Sequence, residues 1–343
     1  MLKRTFVLSL LAGIVLATAQ GAAAQTIELK MSHFVAPTHG WTTDFMRAWA
    51  DEVSRKAGGR VKVDIFGAGS AYGAAPRQYD QVVNGVVDIA NGLRAIPAGR
   101  FPKMSIIEMP FLVNSADAAT RTLWAMYPKY FADEFKDVKV LVLHAHNGAL
   151  IHTRSKPVTA MEDLRGLRIR SPGAVVNEFL KALGAEPVGM PPTEIYENLQ
   201  KGVIEGVATT WELLHSAKLA EVTKYHLDAN LYVASFYFVM NKQRYEGLPA
   251  DVRKAIDDTS GDWLVERFGA WWDKWDELGR EAAKARGNVT NKLSKDERAR
   301  WEKQAQPAID AWLSRMEKEG APNARELYAE AKRLVAQYEK RKE

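Results

Sequence analysis

The 343-residue chain contains no cysteine. That absence excludes disulfides, thiolate nucleophiles, iron–sulfur clusters and cysteine-ligated zinc. A chain of this length can bury a large core without covalent staples, so export remains compatible with it. An excess of one charge is also missing. Lys and Arg number 47 against 42 Asp and Glu, a formal +5, and the basic residues are dispersed except at the mixed-sign C-terminal end. No nucleic-acid partner is expected from such a balance. The short signatures of common chemistries are absent as well: no His-Glu-x-x-His, no Gly-x-Ser-x-Gly, no Walker A loop and no Gly-x-Gly-x-x-Gly after a strand. Gly67-Ala-Gly-Ser-Ala-Tyr-Gly73 lacks the Lys-Ser/Thr ending of a phosphate loop and reads as a turn or a close backbone approach.

Long apolar runs are confined to the N-terminus. Lys3 and Arg4 precede an apolar stretch over 6–17, and Ala22, Ala23 and Ala24 stand before Gln25. This order predicts a cleavable secretory signal over 1–24, with the mature protein exported and soluble. Removing Lys3 and Arg4 lowers the formal charge of +5 by two.

Beyond the signal, strand and helix patterns alternate. Apolar–polar alternation predicts strands over 27–34 and 61–65, separated by a helix over 42–56 that Gly58 and Gly59 end. A helix over 76–84 and a strand over 87–90 follow. Further strands are predicted at 138–144, 149–154, 168–170, 207–209 and 232–240, with helices at 174–183 and 193–201. Beyond Pro249 the chain reads as helical to its end. The fold class is α/β, and the length predicts two lobes crossed more than once by the chain.

One segment stands out chemically. In Asp163-Leu-Arg-Gly-Leu-Arg-Ile-Arg-Ser-Pro172, alternation puts Arg168 and Arg170 on one face and Leu167 and Ile169 on the other. Arg170 falls at the carboxyl end of its strand, where open α/β sheets bind ligands. Its planar fork suits a carboxylate. His144 and His146 share a strand face and are candidates for a metal, or for hydrogen-bonded pocket or core positions. Trp41 and Trp211 follow strands and are candidates for stacking on a ligand or for core packing.

Four segments, in order, carry a family resemblance: Gly58-Gly-Arg-Val-Lys-Val-Asp-Ile-Phe66, Tyr79-Asp-Gln-Val-Val-Asn-Gly-Val-Val-Asp-Ile-Ala90, the Asp163–Pro172 segment just quoted, and Tyr196-Glu-Asn-Leu-Gln-Lys-Gly-Val-Ile-Glu-Gly206. Across nearly the whole mature chain the sequence resembles the solute-binding subunit of tripartite ATP-independent periplasmic (TRAP) transporters, the DctP-like family. The resemblance implies a two-lobed periplasmic binding protein fold, each lobe a mixed sheet flanked by helices, with a long helix spanning both. The lobes are expected as 25–146 plus 237–277 and 147–236 plus 278–343. The resemblance also implies a ligand carboxylate held by Arg170, lobe closure over the ligand, and delivery to TRAP membrane permease subunits. Phe34, His39, Trp41, Tyr72, Leu93, Leu150, Thr209, Trp211 and Phe236 are the residues expected to form the pocket. No cofactor or metal is expected, and a monomer is.

Two departures narrow the ligand. Members that bind acidic sugars carry a second arginine shortly after Asn-Gly at a lobe crossing, whereas Ala149 and Leu150 follow Asn147-Gly148 here. They also carry Asn-Pro after the fourth segment, where Thr209-Thr210-Trp211-Glu212 stands. A less polar monocarboxylate, aromatic or a hydroxy or keto acid, is expected instead. A ligand-binding sensor protein and a periplasmic hydrolase or lyase using His144, His146 or Glu212 are the alternative readings.

Overall fold

A computed structural model describes residues 26–340, so the expected signal at 1–24 lies outside the described residues. Four strands come first: β1 (Ile27–Ser32), β2 (Val61–Phe66), β3 (Ile89–Leu93) and β4 (Val138–Ala145). Five more follow: β5 (Leu150–Thr153), β6 (Arg168–Ser171), β7 (Glu186–Gly189), β8 (Gly206–Thr209) and β9 (Tyr225–Asp228). Then β10 (Ser235–Asn241) returns to the first group and β11 (Val289–Lys292) to the second.

The first sheet has the order β2-β1-β3-β10-β4, with β10 antiparallel to both its neighbours and β1 parallel to both of its own. The second has the order β11-β9-β5-β8-β6-β7, with β6 parallel to β7 and β8. Cover on the two faces explains pattern. The strand β1 alternates and buries Leu29 and Met31, whereas β10, with Phe238 in one apolar cluster and Tyr237 in another, is buried throughout. The turn after β2 is a close approach, because a Cβ on Gly73 would lie 2.3 Å from the Gly67 carbonyl oxygen.

The chain passes between the sheets at 146–149 and again at 229–234. The two passages are paired: the Ala149 N–H donates to the Tyr232 carbonyl and the Leu231 N–H to the Ala149 carbonyl, both at 2.8 Å. The helix Asp262–Ala285 spans the lobes. Near its start Phe268 stacks on His144 of β4, with ring centroids 4.1 Å apart. Near its end Gly279 touches the Trp211 backbone, and Ala283 joins the core of the second lobe.

The expected lobe boundary needs one correction. The helix Lys295–Lys318 packs on the second-lobe helix Ala174–Ala182, but Ala324–Glu339 packs on Ala116–Met126 of the first lobe. The chain reverses at Gly320, and Leu327, Ala331, Leu334 and Val335 form a stripe that buries against Ala118, Ala119 and Leu123. Residues 324–339 therefore do not share the second lobe with the rest of 278–343.

Candidate ligand-binding site

A cavity of about 50 Å³ lies between the lobes. Its walls come from the carboxyl ends of parallel strands: Phe34 beyond β1, Leu93 at the end of β3, Arg170 and Pro172 around the end of β6, and Thr209 at the end of β8. The passages between lobes add His146, Tyr232 and Ala234, and the spanning helix adds Trp272. The lobes touch beside it, since a Cβ on Gly173 would lie 2.6 Å from the Ala95 Cβ.

Two arginines are buried among the described residues, and their surroundings differ. Arg94 forks onto Glu108, with Nε donating to Oε1 at 2.9 Å and Nη2 to Oε2 at 2.5 Å; Ser235 also donates to that carboxylate through its N–H and hydroxyl. Arg170, 3% exposed, has no carboxylate partner among the described residues. Its Nε donates to the Met190 carbonyl at 3.0 Å, which orients the fork. Burial pulls its pKa down to about 10, so it stays charged at neutral pH at a cost. Arg168, two residues earlier, is satisfied at the surface by Glu205 and the Gly202 carbonyl.

Aromatic rings surround this cation. Trp41 packs edge-on against Phe34 and Phe236, with centroids 5.4 and 4.8 Å away. Phe236 and Trp272 lie nearly parallel at 6.4 Å. The Tyr232 hydroxyl donates to the Ala208 carbonyl at 2.9 Å, and burial raises its pKa, so the ring presents a neutral face.

Polar contacts at the cavity have fixed directions. The Trp41 N–H donates to His39 Nδ1 at 3.0 Å, so the His39 proton sits on Nε2, which lies 2.9 Å from Glu212 Oε2. This buried pair joins the loop after β1 to the helix Trp211–Ser216, and hence one lobe to the other. Asp276 of the spanning helix accepts from the Glu212 N–H at 2.9 Å and from Asn147 Nδ2 at 3.0 Å; burial pushes its pKa up to about 7. His146 accepts the Ala234 N–H on Nε2 at 2.9 Å and donates Nδ1–H to the Asn147 carbonyl at 2.5 Å. Burial lowers its pKa to about 4, and with both nitrogens used it is a fixed neutral wall. No group of three or more His, Asp or Glu residues that could hold a metal occurs among the described residues.

Of the expected pocket residues, the fold brings Arg170, Phe34, His39, Trp41, Leu93, Thr209 and Phe236 to this cavity. Three expectations are corrected. Tyr72 packs on Phe66, centroids 5.1 Å apart, away from the cavity. Leu150 lies in the apolar core of the second lobe with Val207. Trp211 lies in that core too, edge-on to His152 and His226 at 5.5 and 5.1 Å. Those histidines form a directed chain: Asn288 Nδ2 donates to His226 Nε2, His226 Nδ1–H to His152 Nδ1, and His152 Nε2–H to the Thr209 carbonyl. Trp211 thus packs on the histidine that donates to the Thr209 carbonyl.

The pocket list from the sequence omitted His146, Tyr232, Glu212 and Trp272. Trp272 is hidden among the tryptophans of the spanning helix. Glu212 carries a signal only through His39, which is far away in sequence.

A profile of the family "Bacterial extracellular solute-binding protein, family 7" (DctP) matches residues 31–315. A TRAP solute-binding protein from Rhodoferax ferrireducens T118, solved with copurified benzoate, is 35% identical, covers 93% of this chain and 100% of its own, and superposes with a TM-score of 0.89. A marine metagenome TRAP solute-binding protein specific for aromatic acids, solved with 3-hydroxybenzoate, is 33% identical with a TM-score of 0.89, over 92% of this chain and 99% of its own. The C4-dicarboxylate-binding periplasmic protein DctP of Rhodobacter capsulatus is 26% identical over 88% of this chain and 91% of its own.

Proposed function

Because this chain belongs to family 7 of the bacterial extracellular solute-binding proteins, we propose that it captures an aromatic monocarboxylate in the periplasm and delivers it to the membrane permease of a TRAP transporter. The observation that carries this reading is Arg170, a buried guanidinium with no anion of its own in a cavity walled by aromatic rings. A ligand carboxylate supplies the missing partner. Phe34, Trp41, Phe236 and Trp272 enclose its ring. The two solved relatives with benzoate and 3-hydroxybenzoate support the same ligand class.

Contacts from both lobes make the ligand favour the closed arrangement, which the permease then receives. The protein works by binding and release, without a chemical step, as a monomer. Residues 1–24 act as a cleaved signal. Among the described residues no helix is long and apolar enough to cross a membrane.

Thermal unfolding against benzoate, hydroxybenzoates, mandelate, C4-dicarboxylates, sugar acids and the matching amides tests this reading. A ligand at about a hundred times its Kd adds about 2.7 kcal/mol, or several degrees. Shifts confined to aromatic monoacids are expected. Equal shifts with benzamide, or none with any aromatic acid, would overturn it.

A further inference from the structure

The cavity holds a second charged side chain that carboxylate capture leaves unused. Glu212 is 3% exposed, lines the cavity, and pairs Oε2 with His39 Nε2 at 2.9 Å. His39 presents its proton on that side, because Nδ1 already accepts the Trp41 N–H. The other oxygen, Oε1, has no hydrogen-bond partner among the described residues, yet it is not among the sealed, unpartnered polar atoms. It therefore keeps accessible surface where Glu212 meets the cavity.

Among the described residues no neighbouring group donates to it: both nitrogens of His146 are taken, the Tyr232 hydroxyl is given to the Ala208 carbonyl, and Arg170, whose Nε is given to Met190, makes no ion pair with Glu212. A carboxylate oxygen enclosed by aromatic walls accepts a hydroxyl or amino hydrogen strongly and repels a second carboxylate. A cation with no carboxylate in contact and a carboxylate with a free acceptor thus line the same cavity.

We infer that Glu212 is a specificity-determining residue: its free oxygen accepts a hydrogen bond from a hydroxyl or amino substituent of the bound aromatic acid and excludes diacids. His39 positions that carboxylate. This rests on the aromatic monocarboxylate reading above, and it adds which members of that class are preferred.

Calorimetric Kd values for benzoate, the three hydroxybenzoates, the three methoxybenzoates, isophthalate and terephthalate test it. On the wild-type protein, a hydroxyl in at least one ring position should tighten binding about tenfold or more over benzoate. The methoxy group at that position, which has no hydrogen to donate, should lose the gain. The two phthalates should not bind at a hundred times the benzoate Kd. In Glu212→Gln, His39 holds the amide oxygen and the NH₂ faces the cavity. The hydroxyl advantage should then fall to within about threefold, and the phthalate of matching geometry should gain at least about tenfold.

The inference is overturned if every hydroxybenzoate binds wild type within threefold of benzoate, if methoxy equals hydroxy, or if folded Glu212→Gln keeps the full hydroxyl advantage. Should the variant not fold, the hydroxy–methoxy comparison on wild type still decides. Failure of every aromatic acid in the set would strike the underlying reading, whereas benzoate binding without hydroxyl preference strikes only this one.

Discussion

Replacing Arg170 with methionine should separate its two energetic roles. Burial pulls the pKa of the guanidinium to about 10, which places a cost of about 3 kcal/mol on the charge before a carboxylate binds. A ligand carboxylate removes that cost and adds the forked hydrogen bonds. Removing one partner of a buried pair costs about 3–5 kcal/mol, so benzoate affinity should fall at least about a hundredfold. The ligand-free protein should respond in the opposite sense. Methionine is of comparable length, carries no charge and replaces only the single bond to Met190, so the apo form should hold or gain about 1–3 kcal/mol. Arg170→Lys should keep the charge but lose the fork and Nε, and fall between the two. Calorimetry reads the affinities and thermal unfolding the apo stabilities. Benzoate affinity within threefold of wild type would refute the carboxylate assignment. A strongly destabilised apo variant would show that Arg170 is there to hold Met190 and its loop.

Two further outcomes follow from packing and from burial. A Cβ on Gly173, whose backbone is extended and imposes no strain, would meet the Ala95 Cβ at 2.6 Å across the cleft. Gly173→Ala should therefore weaken ligand binding by about 1–3 kcal/mol through the closed form, leaving apo unfolding nearly unchanged; an equal loss in apo stability would contradict it. Burial lowers the pKa of His33 to about 3, of His146 and His226 to about 4, and of His144 and His152 well below the usual 6.5. Their folded values lie below the unfolded one, so the stability they carry is full above pH 6.5 and lost as pH falls toward 4. Glu134 and Asp276, raised to about 7, oppose this by binding protons in the folded state. Five histidines against two carboxyls leave about three more protons on the unfolded chain near pH 5, a slope of roughly 4 kcal/mol per pH unit. Thermal unfolding between pH 7 and 4 should fall steeply, and a flat profile would refute the burial argument.

Much of the site was legible in advance where local pattern suffices. Alternation marked β1 and β2, an apolar run marked β10, and the strand-end position of Arg170 marked the cation. The tryptophans were harder. Trp41 and Trp211 look alike in sequence, each following a strand, yet Trp41 lines the cavity and Trp211 lies in the second-lobe core against His152 and His226. Which side of a sheet a following helix covers depends on packing that no short window records. Trp272 sits on a helix with apolar residues over a wide arc, so nothing in the sequence singles it out from its packing neighbours.

By itself the chain determined its α/β character, the absence of thiol and disulfide chemistry, and an arginine at the end of a strand. These follow from residue type and short-range periodicity, which act within one element. Only the tertiary structure decided that Arg170 lacks a counter-ion while Arg94 has Glu108, that His39 and Glu212 meet across the cleft, and that 324–339 returns to the first lobe. Charge pairing and burial depend on which distant segments the two lobe crossings and the spanning helix bring together, and in a dry cavity those meetings decide the energy of each charge.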